Sequence, residues 1–359
     1  MARKPVHILI VGAGAVGCFY ASKLQQETSS RDILVSLVCR SNYKAIAANG
    51  VSLQTHSFGN YHFTPYKVFA SIASAADSRI KWDYVVVTTK ALPDVTNDAH
   101  DIRRLVTRGQ EASCIVLIQN GVGIEEVHRA EFADVPIVSA VTVISAEQIK
   151  HGVVRQNRWT RISMGCYTNG QAKPNALLND QNLIESLTAK TDLHIANLVS
   201  WFTATGIKDA EHVSEISLQQ TRWHKLCINA SMNPSSVLSG GTPNSRMALD
   251  PELRQHLHAC MDEIFSTAPK ILGIDFDPKK HASPERILKS TERNTAGKPS
   301  MLLDWQAARP MELEVILGNP IRIARRQGLD MPRLQTLYAL LKMAQVRKRE
   351  DQNEAKANL

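Results

Sequence analysis

Val6-His-Ile-Leu-Ile-Val-Gly12-Ala-Gly14-Ala-Val-Gly17 stands near the start of the chain and decides how its first half is read. A G-x-G-x-x-G alone is a weak signal. Here it follows a short β-branched apolar run and leads into helical spacing over Cys18–Gln26, the context that a dinucleotide-binding turn needs. Gly12 permits the tight turn, Gly14 lets backbone approach a pyrophosphate, and Gly17 lets helix and strand pack closely. With Ala13, Ala15 and Val16 they form a phosphate-binding turn, where the helix N-terminus offers unpaired N–H groups and partial positive charge.

Further apolar runs follow at Ile33–Cys39, Tyr84–Thr89, Cys114–Gln119 and Ile137–Ile144, several separated by helical segments such as Ile124–Ala130. Continuous apolar strands alternating with helices predict a parallel sheet covered on both faces. Val51–Thr55 and His62–Val68 read as an inserted antiparallel pair, and His151–Gln156 with Arg161–Gly165 as a hairpin at the sheet edge. Residues 168–192 are polar and read as a loop, with a helix from about Leu193. The short segment Ile207–Val213 leads into a long helical stretch. Beyond it Leu218–Val237, Pro251–Leu272, Ser300–Ala308, Glu312–Gln327 and Pro332–Arg347 carry helical periodicity. The fold class expected is therefore an α/β Rossmann-type domain (1–208) followed by an all-α domain (209–347), with a charged frayed tail at 348–359.

Composition narrows the class. The 359 residues fit about two domains, and 43% hydrophobic with 21% charged residues is ordinary for a folded globular protein. Net charge is +8, which favours anionic ligands but is too dispersed to indicate nucleic acid. The basic stretch Lys342–Arg349 reads as a solvated helix end. The six cysteines show no C-x-x-C spacing, so neither a disulfide framework nor structural zinc is expected, and the histidines form no metal-ligand spacing. Without an apolar run of membrane length or room for a leader before Val6, the expected location is cytoplasmic.

The second strand ends Leu37-Val38-Cys39-Arg40-Ser41-Asn42, where NAD-binding turns usually carry Asp or Glu for the ribose hydroxyl. Arg40, with Lys44 nearby, instead favours a 2′-phosphate and hence NADP(H). Two further strand ends place Lys90 and Asn120 where a cofactor binds, although either also suits a helix cap or a solvated position. In Trp223-His224-Lys225-Leu-Cys-Ile-Asn229-Ala-Ser-Met-Asn233-Pro234, the i, i+4, i+8 spacing puts Lys225, Asn229 and Asn233 on one helix face. Asparagine is a poor helix former, so a row of hydrogen-bonding groups facing a cleft is the functional reading, and an exposed polar face the plain one. His224 points to another side and reads as structural.

Gly12-x-Gly14-x-x-Gly17, Lys90-Ala91, Gln119-Asn120-Gly121, Lys225-Leu-x-x-Asn229-x-x-x-Asn233-Pro234, Pro299-Ser300-Met301-Leu302-x-Asp304 and Glu312, in this order, resemble the ketopantoate reductase family (2-dehydropantoate 2-reductases). The likeness spans residues 6 to about 328. It implies a 6-phosphogluconate dehydrogenase-like arrangement and NADPH reduction of a 2-oxo acid in the cleft between the domains, within pantothenate and coenzyme A synthesis. It also implies Lys225 as proton donor and Glu312 as a carboxylate near cofactor and lysine. Asn229, Asn233, Asn244 and Ser300 match substrate-binding positions, while Lys90, Asn120 and Ala146 match cofactor contacts.

The chemistry agrees with that assignment. Hydride arriving at a ketone carbon leaves an alkoxide that needs a proton and nearby positive charge, and an ammonium supplies both. Departures fall at Gly297, where many members carry asparagine, and at Glu312-Leu-Glu314-Val-Ile-Leu-Gly318-Asn319, where they often read Glu-Ile-Asp-x-x-Asn-Gly. These departures motivate a competing expectation, a paralogue acting on another branched or bulky 2-oxo acid. A non-catalytic NADP(H) sensor is the alternative from another class, weakened by the presence of Lys225 and Glu312. Expected partners are a small-molecule 2-oxo acid, with no nucleic acid and no membrane. A homodimer stays open, because one chain displays no interface.

Overall fold

The computed structural model describes residues 4–25, 32–169, 178, 180–293 and 298–357. The chain forms two compact units. The first holds Met1–Lys90, Asn97–Gln119 and Glu125–Leu218; the second holds Ala91–Thr96, Asn120–Ile124 and Gln219–Leu359.

In the first unit the strands are β1 (Val6–Val11), β2 (Ile33–Val38), β3 (Val51–Thr55), β4 (Gly59–Phe63), β5 (Lys67–Phe69), β6 (Tyr84–Val87), β7 (Cys114–Leu117), β8 (Ile137–Lys150), β9 (Val153–Cys166) and β10 (Ala210–His212). They join one sheet in the order β4-β3-β9-β8-β7-β6-β1-β2-β5, with β10 against β9. From β5 through β2, β1, β6 and β7 to β8 every neighbour is parallel. That is the 3-2-1-4-5-6 order of a dinucleotide-binding sheet, whose ligand crevice opens where the order reverses, beyond β1 and β6. Ile8, Leu9 and Ile10 of β1 are all inaccessible to solvent, as a strand covered on both faces requires.

The helices are α1 (Ala15–Leu24), α2 (Tyr43–Asn49), α3 (Ile72–Asp77), α4 (Asp98–Asp101), α5 (Glu126–Glu131) and α6 (Gln181–Ala204). Tyr20 of α1 meets Phe202 of α6 edge to face, with ring centroids 5.3 Å apart, and its hydroxyl pairs with Thr142 of β8. These contacts fix α1, and with it the glycine turn, against the sheet.

Several sequence expectations change here. The inserted pair is β3 with β4, while Lys67–Phe69 leaves it to extend β2 as β5. The expected edge hairpin at 151–165 is one long strand, β9, paired antiparallel with β8 and lying inside the sheet between β8 and β3. Residues 210–212, assigned above to the helical domain, form β10 in the first unit. Helix α6 begins at Gln181, twelve residues before Leu193, because Asp180 accepts from the backbone N–H of Asn182 and Leu183. Its buried stripe already includes Leu187 and Thr191, a periodicity that the polar composition hides. Residues 170–177 and 179 of the polar segment lie outside the described residues.

The second unit contains only helices among its described residues: most of α7 (Glu215–Asn229), then α8 (Met232–Leu238), α9 (Asn244–Leu249), α10 (Pro251–Leu272), α11 (Pro284–Thr291), α12 (Ser300–Gln306), a π-helical turn at Glu314–Gly318, α13 (Asn319–Arg326) and α14 (Pro332–Ala357). Helix α10 shows why the apolar periodicity reads cleanly. Asp250 caps it by accepting from Leu253 N–H, Pro251 starts it, and Gly273 ends it at φ +69°. Helix α14 continues through the expected frayed tail to Ala357.

The expected single helix Leu218–Val237 is two helices. Pro234 has no N–H to bond the Ala230 carbonyl, so α7 ends at Asn229 and α8 starts afresh at Met232. Ser231 bridges the break, its hydroxyl donating to the Cys227 carbonyl.

Candidate active site

The glycine turn sits where β1 hands over to α1. Gly12 has φ +111°, and a Cβ there would lie 2.7 Å from Thr89 N. A Cβ on Gly17 would lie 2.2 Å from the Gly12 carbonyl oxygen. Both positions therefore exclude any side chain. At Gly14 nothing lies within 4 Å of where a Cβ would be, so the backbone there is open to an approaching group. Gly14 is also the N-cap of the ten-residue α1, with no side-chain cap and no acidic residue in the first turn. The helix N–H groups are thus left for an anion, and the residues fit a dinucleotide pyrophosphate.

Two residues that the sequence reading missed hold this turn. Thr88 Oγ1 donates to the Gly12 carbonyl at 2.6 Å, and Asn42 Nδ2 donates to the Ala13 carbonyl at 2.5 Å. Their only sequence signal was position, each just past the carboxyl end of a strand. Arg40 follows β2 and is exposed, as is Lys44 on α2, and no carboxylate lies between Cys39 and Asn49. Lys90 is half-buried just beyond β6. Ala146 is half-buried on β8, opposite Gln156 and flanked by irregular pairing at Ser145.

Lys225, Asn120, Ala91 and Glu312 all belong to the second unit. Lys225 Nζ donates to Asn120 Oδ1 at 2.9 Å, and Asn120 Nδ2 donates to Glu312 Oε2 at 3.3 Å. The other oxygen of Glu312 accepts the Ala91 N–H at 3.2 Å. The amide thus links ammonium and carboxylate, with a donor facing one and an acceptor the other. Burial first, and then Arg222 on the preceding turn, draw the Lys225 pKa down to about 8 against the opposing charge of Glu312.

The motif Asn120-Gly121 has a packing reason. Gly121 has φ +92°, and a Cβ there would lie 2.5 Å from Val315 of the π-helical turn. Val122 N–H donates to the Val315 carbonyl at 2.9 Å, while Asn319 Nδ2 donates to the Val122 carbonyl at 2.8 Å. Arg222, buried and also missed by the sequence reading, donates to the Gly121 carbonyl at 2.9 Å. Residues 120–122 are therefore clamped from three sides, and Asn120 is presented to Lys225.

The asparagine row is not continuous. Asn229 is half-buried at the end of α7, and the Pro234 break moves Asn233 onto α8, where it is buried. Helix α8 packs against both α9 and α12, whose first residues are Asn244 and Ser300. Asn244 Oδ1 is buried without a hydrogen-bond partner, and Ser300 is exposed. Gly297 lies outside the described residues. His224 faces away from this group, as expected: its Nε2 donates to the Ala282 carbonyl at 2.9 Å and its ring packs on Phe265 and Phe276. Among the described residues no helix is long and apolar enough to cross a membrane, and no three His, Cys, Asp or Glu side chains are grouped to hold a metal.

A 3-2-1-4-5-6 sheet with its glycine turn, and a helical unit carrying a lysine–amide–carboxylate chain, define a nicotinamide-dependent oxidoreductase. Residues 8–169 match the family model described as ketopantoate reductase PanE/ApbA, and residues 217–345 match its C-terminal counterpart. The chain belongs to the ketopantoate reductase family. It is 30% identical to an uncharacterised protein of Saccharomyces cerevisiae, over 96% of this chain and 94% of the relative. It is 25% identical to a 2-dehydropantoate 2-reductase of Nostoc, covering 96% of each. The crystal structure of 2-dehydropantoate 2-reductase from Methylococcus capsulatus superposes with a TM-score of 0.76 at 29% identity, covering 96% of this chain and 98% of that one. A D-mandelate dehydrogenase solved with NADH and anilino(oxo)acetate shares the fold, with a TM-score of 0.72 at 18% identity over 96% of this chain and 99% of that one.

Proposed function

We propose that this protein reduces 2-dehydropantoate to pantoate with NADPH, Lys225 being the proton donor. The observation that carries the reading is the Lys225–Asn120–Glu312 chain, with the lysine pKa drawn down to about 8. A general acid works best with a pKa near the operating pH, and an ordinary lysine would hold its proton too tightly. When held by the Gly12–Gly17 turn, the nicotinamide cofactor would supply a hydride to the ketone carbon, with the carbonyl electron pair moving onto oxygen. Lys225 neutralises the developing alkoxide and gives it a proton, leaving a neutral amine that solvent reprotonates. Asn120 keeps Nζ in place while accepting its hydrogen bond, and Glu312 keeps the amide from flipping.

The amides of Asn229, Asn233 and Asn244 and the hydroxyl of Ser300 suit recognition of a polar oxo acid. The unpartnered, buried Asn244 Oδ1 supports this role, since such an atom costs free energy until a ligand satisfies it. Residues Gly12 to Gly17 are the proposed pyrophosphate contacts, and Lys90, Asn120 and Ala146 the proposed contacts to the remainder of the dinucleotide. Arg40, without a competing carboxylate, supports NADPH over NADH. The cytosol is the proposed compartment, where six free, buried thiols stay reduced.

The Gly318-Asn319 departure that favoured another 2-oxo acid sits at a packing junction: Asn319 holds the Val122 carbonyl, and a Cβ on Gly318 would lie 2.7 Å from Glu314. It therefore carries little weight against ketopantoate. The test is NADPH oxidation, followed by absorbance, with ketopantoate, a panel of bulkier 2-oxo acids, and NADH in parallel. Fast NADPH-dependent turnover with ketopantoate preferred is expected. Preference for another 2-oxo acid would replace the substrate, and tight NADPH binding without turnover on any would favour a sensor.

A further inference from the structure

Glu314 stands two residues after Glu312, at the start of the π-helical turn, and is buried. A buried carboxylate needs strong partners. Tyr338 of α14 donates its hydroxyl to Oε1 at 2.5 Å, and Arg322 of α13 donates to Oε2 at 2.7 Å. Lys342 Nζ lies 3.6 Å from Oε1. These cationic and hydroxyl donors outweigh the cost of burial and hold the carboxyl below its ordinary pKa. The same guanidinium nitrogen of Arg322 donates to Asn319 Oδ1 at 2.7 Å, and the Asn319 amide donates to the Val122 carbonyl. Gly318 allows this, because a Cβ there would lie 3.0 Å from both terminal nitrogens of Arg322.

A continuous path of hydrogen bonds thus runs from Tyr338 through Glu314, Arg322 and Asn319 to the 120–122 loop that presents Asn120 to Lys225. The π-turn itself supplies the second hold on that loop, through the Val315 carbonyl. π-turns are rare and occur frequently at functional sites. This one is pinned at its first residue by Glu314.

We infer that Glu314 is a positioning residue for the reaction: through Arg322 and Asn319 it fixes residues 120–122, and so fixes Asn120 between Lys225 and Glu312. The inference rests on the proposed roles of Lys225 and Glu312. Losing the Glu314 anchor lets Asn120 withdraw from the lysine. Lys225 then loses the amide oxygen that stabilises its charged form, burial and Arg222 act on it with less compensation, and its pKa falls.

The test measures the pH dependence of kcat with NADPH and ketopantoate in Glu314→Gln, Arg322→Leu and, as reference, Glu312→Gln. Arg322 is half exposed, so its variant keeps the core intact if Glu314→Gln does not fold. Protonated Lys225 being the active form, kcat should fall above pH 8, and all three variants should move this alkaline limb to lower pH. The two anchor variants should lose about tenfold in kcat, with NADPH affinity within about twofold of wild type. An unmoved limb in both anchor variants, while Glu312→Gln shifts it, overturns the inference alone, whatever happens to their stability. An unmoved limb in Glu312→Gln as well overturns the Lys225 reading and the inference with it.

Discussion

Lys225 Nζ lies 2.9 Å from Asn120 Oδ1, so the candidate proton donor is held by a residue more than a hundred positions away in the chain. The carbonyl oxygen of the amide accepts a hydrogen bond from the ammonium while its NH2 group donates to Glu312. An ammonium donates and cannot accept, so this arrangement selects one orientation of the amide and one direction for the lysine stem. Lys225→Ala should lower kcat by about 10²- to 10⁴-fold, the usual contribution of a general acid, with NADPH binding preserved. Stopped-flow turnover alongside fluorescence titration checks both. Retained turnover would remove the lysine from the mechanism.

Arg40 makes a prediction about the cofactor alone. A charge-assisted pair with a 2′-phosphate is worth about 1.5–3 kcal/mol, so Arg40→Ala should raise the NADPH KM by about ten- to a hundredfold. The NADH KM should not change. Equal effects on both cofactors would place Arg40 away from the phosphate.

Gly121→Ala tests the clamp on the 120–122 loop. The added methyl meets Val315 at 2.5 Å and occupies a left-handed backbone position, so relaxation must move the loop or the π-turn. The expected cost is about 2 kcal/mol or more in stability, with kcat reduced further than the loss of folded protein explains. Thermal melts and specific activity per folded molecule decide this. A variant of wild-type stability would mean that the contact relaxes freely.

Lys23 is a buried lysine unconnected with the chemistry. It is 1% exposed, its ammonium stacks 3.3 Å from the centre of the Phe58 ring, and burial lowers its pKa to about 8. Unfolded lysine titrates near 10.4. The folded state therefore binds fewer protons than the unfolded state between those values, and stability should rise with pH across about 8 to 10.4. Lys23→Met removes the buried charge and keeps the stem, so the melting temperature near pH 7 should rise by about 3 °C, roughly 1 kcal/mol. The advantage should shrink as pH rises through that window. A lower melting temperature, with no rise in wild-type stability across that window, would mean that the cation–π contact outweighs desolvation.

Much of this protein was already readable along the chain. Gly12, Gly14 and Gly17 marked the turn between β1 and α1, because conformational freedom and backbone approach are local requirements that few residues meet. Arg40 and the absence of a nearby carboxylate are likewise local. Helix α10 was legible to the residue because Asp250, Pro251 and Gly273 each act within one turn of their own position. Lys225 and Glu312 entered through their order within a family pattern.

Tertiary structure decided the rest. The break after Asn229 follows from Pro234, yet only the folded chain shows Asn233 carried onto α8. Strand β9 lies inside the sheet because its partners, β8 and β3, come from both sides of it in the order of the sheet, and no local periodicity encodes neighbour identity. The positions of Thr88, Arg222 and Glu314 were invisible for the same reason: Thr88 and Arg222 donate to carbonyls far away in sequence, and Glu314 connects through Arg322 and Asn319 to the distant Val122 carbonyl. Hydrogen bonds at 2.6–2.9 Å are short-range and directional, so their partners exist only once the chain has brought distant residues together.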